Sequence, residues 1–99
     1  MDRAMELIRD ARTIAVVGVS SNPKRPSNEV ASYLQRQGFK VYMVNPREVE
    51  VLGQHAYASV SDLPEEVDIV DVFRRSADVP PVVNDAIAAG AKAIWLQLD

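Results

Sequence analysis

The sequence predicts an α/β fold of the Rossmann-like kind, a parallel sheet with helices on both faces. Three observations lead there. The apolar and β-branched run over residues 13–19 lacks the polar alternation of a strand with one wet face, so it reads as a strand covered on both sides, and further strands are read over 40–44, 67–73 and 93–98. Helical or loop segments separate them, which calls for right-handed crossover connections between parallel strands. Gly38 and Gly90 stand where helices should stop, and Asn45-Pro46 closes the second run. The 99 residues suffice for one domain over 1–99.

Taken in order, residues 1–10 place Met5 and Ile8 on one face with Asp2, Arg3, Glu6 and Arg9 elsewhere, an amphipathic helical pattern. Residues 13–19 follow as a central parallel strand. Residues 20–26 hold two prolines with Ser20, Ser21, Asn22, Lys24 and Arg25, which is loop composition. Ser27 is the expected N-cap of a helix to about Gln37, with Val30, Ala31 and Leu34 toward the sheet. Residues 40–44 form a second strand, and 47–59 show no firm periodicity. Residues 62–66 make a turn, then 67–73 a third strand interrupted by Asp68 and Asp71. Asp78 is placed to cap a helix carrying Pro80 and Pro81 in its first turn, where a missing N–H matters little. A fourth strand over 93–98 contains Trp95, expected in the core. Counting these four runs, the expected order is 3-2-1-4. A fold of this kind continues with a further helix and strand, so the domain is expected to lack its C-terminal elements here, or to leave an edge for a homodimer or other protein partner to protect.

Composition narrows the chemistry. Eleven Lys and Arg stand against fourteen Asp and Glu, for a formal charge of −3, which gives no broad basic face for a nucleic acid. The absence of cysteine removes thiol nucleophiles, disulfides and cysteine metal sites, and suits a cytoplasmic location. No apolar run long enough to span a membrane and no signal-peptide pattern is present. His55, in the irregular stretch, has no cysteine or serine partner at hand and is expected on the surface. No catalytic constellation and no metal set can be named. Asp68 and Asp71 sit too early in their strand for a receiver-type phosphoacceptor, and the first strand leads into Gly18 and Val19 rather than an acidic cluster.

A parallel sheet wound in two directions binds ligands at the carboxyl ends of its strands, near the reversal of order. Three loops qualify, beginning at Gly18, Asn45 and Phe73. Gly18 permits close backbone approach. The amides from Val19 onward, with the hydroxyls of Ser20, Ser21 and Ser27, could donate to a phosphate at a helix N-terminus, beside the positive charges of Lys24 and Arg25. The dinucleotide pattern Gly-x-Gly-x-x-Gly is absent, because Gly18 is followed by Val19, Ser20, Ser21, Asn22 and Pro23. At the end of the second strand an NAD site wants a carboxylate for the ribose diol, whereas this chain has Asn45, Pro46 and then Arg47, which would attract a phosphorylated ribose. Phe73 could pack against an adenine or a pantetheine-like arm, with Arg74 or Arg75 neutralising phosphate. The plainer reading makes Asn45-Pro46 a turn and Phe73 core.

With these loops in place, the chain resembles the small bacterial and archaeal CoA-binding proteins of the YccU-like family, related to the CoA-binding domain of the succinyl-CoA synthetase α subunit. The marks are Thr13-Ile14-Ala15-Val16-Val17-Gly18, the loop Ser21-Asn22-Pro23-Lys24-Arg25-Pro26-Ser27, Val44-Asn45-Pro46, Asp68-Ile69-Val70-Asp71-Val72-Phe73-Arg74, and Ala93-Ile94-Trp95-Leu96-Gln97. The resemblance implies a Rossmann-like domain binding coenzyme A or an acyl-CoA. It sets the first loop on the pyrophosphate, Asn45 and Pro46 beside the adenosine portion, and Phe73 and Arg74 along the cleft. Family members run on past the Trp-bearing strand, which leads there into a glycine where this chain has Asp99. No ligase or phosphohistidine machinery is recognisable. The alternatives are an NAD(P)-binding domain and a protein-interaction module of the same fold without a ligand.

Overall fold

Strand β1 (Thr13–Val17) is buried along its whole length, as an apolar run with no polar alternation requires. The computed structural model describes residues 9–97. The N-terminal helix predicted over residues 1–10 falls outside that range except for Arg9 and Asp10, which are helical. After β1 the chain crosses through helix α1 (Pro26–Arg36) to β2 (Lys40–Val44), which pairs parallel with β1 from Thr13↔Lys40 to Val17↔Val44. A hairpin of β3 (Glu50–Val51) and β4 (Gln54–Tyr57) follows, then a 3-10 turn at Val60–Asp62 and β5 (Ile69–Val72). A second 3-10 turn, Ser76–Asp78, leads into helix α2 (Val79–Ala88) and β6 (Ala93–Leu96).

The sheet has the order β3-β4-β2-β1-β5-β6, parallel except for the β3/β4 hairpin. The Rossmann-like architecture is as predicted, but the expected 3-2-1-4 order is not. The third predicted strand lies beside β1, not beside β2. The reason lies in residues 47–59, read as irregular. They supply β4, which takes the outer edge of β2 through Met43↔Ala56 and Val44↔Tyr57. With that edge filled, the fully buried β5 finds cover on both sides only between β1 and β6. The hairpin closes on a tight turn that a leucine in its first position does not announce. Leu52 and Gly53 have φ of 51° and 76°, and Val51 faces Gln54, the two-residue turn with both central residues left-handed.

One face of the sheet packs Val16, Met43 and Ile69 against Ala31 and Leu34 of α1, and the other packs Ala15, Val44 and Val70 against Val79, Val82 and Ala86 of α2. Trp95 is half-buried against the α1-side core rather than enclosed in it. Two capping expectations change. Pro26 opens α1 with Arg25 at the N-cap, two residues earlier than expected, so Ser27 lies inside the first turn. Asp78 does precede α2, but its side chain makes no cap bond and faces Arg75 at 3.6 Å instead.

The amino end of the sheet is fastened by polar contacts. The Asp68 carboxylate accepts the Arg12 N–H at 2.7 Å and the Thr13 N–H at 3.2 Å, and Lys92 lies 3.2 Å away. The Arg12 amide first, then those of Thr13 and the Lys92 ammonium, hold its pKa down at about 2. Glu65 bridges Lys40 and the Tyr42 hydroxyl on the same side. These contacts leave the carboxyl end of the sheet to the loops.

Candidate functional site

At the carboxyl end of β1 the sheet's direction of growth reverses, because β1 pairs with β2 on one side and β5 on the other. Gly18 ties the three strands together there. Its N–H donates to the Val44 carbonyl at 2.8 Å, and the Phe73 N–H donates to the Val17 carbonyl at 2.8 Å. The backbone then turns through φ +85° so close to Phe73 that a Cβ on residue 18 would stand 2.1 Å from the Phe73 oxygen. Glycine is required there both by dihedral and by contact.

The loop after Gly18 is built from its own hydrogen bonds. Ser20 N–H donates to Ser27 Oγ, Asn22 N–H to Ser20 Oγ and Lys24 N–H to Asn22 Oδ1, each at 3.0 Å. Asn28 Nδ2 donates to the Ser20 carbonyl at 2.8 Å, anchoring the loop to the first turn of α1. Asn45 performs the same task from β2. Its Nδ2 donates to the Val19 carbonyl at 2.9 Å while its Oδ1 accepts the Arg47 N–H at 2.9 Å, so one buried amide locks two loops in register. The turn-forming reading of Asn45 and the site reading therefore meet in one residue.

A cavity of about 850 Å³ opens between these loops. Of the residues singled out in the sequence, Gly18, Ser20, Arg25, Ser27, Asn45, Pro46, Arg47, Phe73 and Arg74 line it. Val19, Ser21 and Lys24 do not, although they belong to the same loop. Val19 is fully buried and packs in the core on the α1 side. Phe73 both lines the cavity and packs against that core, so the two readings of it are compatible. The lining also includes Arg75, expected as the alternative to Arg74 for neutralising phosphate, together with Pro26, Glu48, Asp78 and Gln97, which the sequence did not single out as site residues. Glu48 and Gln97 carried no signal, because the first reaches the site from beyond Pro46 and the second from the end of β6.

Four arginines and two carboxylates line the cavity of a chain whose net charge is −3. Positive charge is thus gathered in one concave place, where low-dielectric walls strengthen its field. The α1 N-terminus opens on the same place through Pro26 and Ser27, adding the partial positive charge of the helix dipole. Beside it lies a second, more apolar cavity of about 330 Å³ walled by Val17, Val44, Ala58, Val60 and Val82, with Pro46 and Arg74 common to both. This arrangement suits a ligand with several anionic groups and one flat or apolar end.

Residues 12–99 match the family described as CoA binding domain. The chain belongs to this CoA-binding family. The YneT protein of Bacillus subtilis is 37% identical over 92 residues, which are 93% of this chain and 68% of that one. The α subunit of an ADP-forming acetate–CoA ligase (II) from Pyrococcus furiosus is 52% identical over 84 residues, 84% of this chain but 18% of the subunit. Among solved structures, a hypothetical protein from Pyrococcus horikoshii OT3 superimposes with a TM-score of 0.89 at 41% identity, over 92% of this chain and 64% of that one. The chain thus spans about two thirds of its small relatives and under a fifth of the ligase subunit.

His55 is exposed and stacks edge-on against Tyr57 at 4.8 Å, away from the cavity lining. Among the described residues no group of three or more His, Cys, Asp and Glu is gathered to hold a metal, and no helix is long and apolar enough to cross a membrane.

Proposed function

We propose that this domain binds coenzyme A, free or acylated, in the cavity over β1 and acts as a binding module. One observation carries the reading: a chain of the CoA-binding family concentrates four arginines around the glycine-tight turn at the reversal of its sheet. The pyrophosphate lies against the loop of Gly18, Val19, Ser20 and Ser21 and the start of α1, with Arg25 and Lys24 supplying charge and Ser27 holding the loop's shape. Arg47 takes the ribose 3′-phosphate. The adenine enters the apolar cavity beside Pro46, since that residue links the two cavities next to Arg47. The pantetheine arm then leaves past Phe73 and Gln97, with Arg74 between the two compartments. In ligases of the acetate–CoA type the matching segment would serve as the part that holds CoA.

A nucleotide with an unphosphorylated adenosine ribose, such as NAD, would leave Arg47 without a partner, which disfavours the NAD reading. The test is calorimetric titration with CoA, with NAD and ADP as competitors. Arg25→Ala and Arg47→Ala are each expected to weaken CoA binding about tenfold, the worth of one charge-assisted contact, and to flatten its salt dependence. Unchanged affinity in both variants, or NAD binding as tightly as CoA, would overturn the assignment.

A further inference from the structure

One charged contact in the cavity is left unused by the proposed ligand. Glu48, on the connection after β2, reaches across to the first loop, where its Oε2 accepts the Ser21 N–H at 2.5 Å. The neighbouring amides of Ser20, Asn22 and Lys24 are satisfied by acceptors in the loop itself or in the helix it feeds. Ser21 differs, because its acceptor is an anion brought from 27 residues away to the rim of a cavity lined by arginines.

To a backbone N–H, a carboxylate oxygen and a phosphate oxygen are closely similar partners. We propose that Glu48 stands in for a ligand phosphate at the Ser21 amide, and that an arriving ligand must displace it. The inference rests on reading the cavity as a site for a pyrophosphate-bearing nucleotide. Displacement is feasible because the contact is exposed, so water replaces the amide around the departing carboxylate. It is also required, since a carboxylate left in place would face the incoming phosphate at close range and repel it. Glu48 thereby lowers the affinity of the site and favours ligands whose phosphates, held by several arginines together, outcompete one tethered carboxylate.

The opposite role for the same contact would be a brace that holds the loop ready. The two roles predict opposite signs. Under displacement, Glu48→Gln and Glu48→Ala both bind CoA about two- to fivefold more tightly than the parent, the scale of one exposed charge interaction. Under bracing, both bind more weakly. Inorganic pyrophosphate provides a probe independent of CoA, followed by the ¹⁵N shift of the Ser21 amide and by calorimetry.

Tighter pyrophosphate and CoA binding in both variants supports the displacement. Tighter pyrophosphate binding with no CoA binding by any form supports the displacement and removes the CoA reading. CoA bound with equal or lower affinity in the variants overturns the displacement while leaving the CoA reading intact. No binding of either anion by any form overturns both. Thermal unfolding checks each variant, and Glu48→Gln, which preserves the side chain's shape, carries the test alone where alanine unfolds the loop.

Discussion

Replacing Gly18 by alanine probes the junction on which the whole site is built. Two separate penalties arise there. An L-residue at φ +85° costs about 1–2 kcal/mol on dihedral grounds. The added methyl would also sit 2.1 Å from the Phe73 oxygen and 3.0 Å from its carbonyl carbon, with the Arg74 Cδ at 3.4 Å, so the backbone rather than a pliable side chain must yield. Moving Phe73 away strains its 2.8 Å bond to Val17 and the Gly18 bond to Val44. Overpacking of this kind adds about 1–3 kcal/mol, and a weakened backbone bond about 1 kcal/mol. The total expected for Gly18→Ala is about 3–6 kcal/mol. Gly38→Ala is the matched control, because Gly38 has φ +93° but nothing within 4 Å of where the new methyl would stand, leaving only the dihedral cost of about 1–2 kcal/mol. Urea unfolding of both variants, compared at equal slope, isolates the close approach as a difference of about 2 kcal/mol or more. Equal destabilisation by the two substitutions would refute the claim that the chain leaving β5 at Phe73 passes Gly18 too closely for any side chain.

Two buried or bonded aspartates should give pH profiles of opposite sign. Asp68 has its pKa lowered from 3.8 to about 2, so its stabilisation is complete above pH 4 and fades as pH falls through 2. Asp68→Asn is expected to lose about 1–2 kcal/mol at pH 7 and to flatten the acid limb of urea-derived stability against pH; an unchanged acid limb would contradict it. Asp71 lies 2% exposed within β5 with its Oδ1 unpartnered, and burial raises its pKa. The folded state then keeps a proton that the unfolded chain releases, so stability declines as pH rises above 3.8. Asp71→Asn should remove that decline, seen as a smaller drop in Tm as pH rises from 3.8, and parallel profiles would count against it. Asn45→Ala should cost about 1–3 kcal/mol by orphaning the Val19 carbonyl and the Arg47 amide, and should weaken CoA binding. Asn45→Asp, an acceptor without a donor, should be worse still, because it sets a carboxylate against the Val19 carbonyl; if it is tolerated better than alanine, the amide does not bridge the loops.

Local patterns were legible for physical reasons that operate locally. A strand covered on both faces is apolar along nearly its whole length, so β1 and β2 showed themselves as apolar runs and β5 as a run broken only by Asp71, and the turn at Gly38 stood out at the end of α1. The three loops at the carboxyl ends of the strands followed from fold class alone, and nine of the residues chosen there line one cavity. β4 escaped because it is short, its first two residues are exposed, and only Ala56 and Tyr57 pair with β2. Missing the β3/β4 hairpin beside β2 then displaced β5 in the expected order.

What the sequence by itself determined was the kind of element at each place and the chemistry available in each loop, because hydrophobic period, proline and glycine act within a few residues. Only the tertiary structure decided which strand took which edge, that Asn45 would spend both ends of its amide on loop register, and that Glu48 would meet Ser21 across the cavity. Those outcomes are competitions between distant groups for the same hydrogen bonds and the same sheet edges, and no local pattern records which group wins.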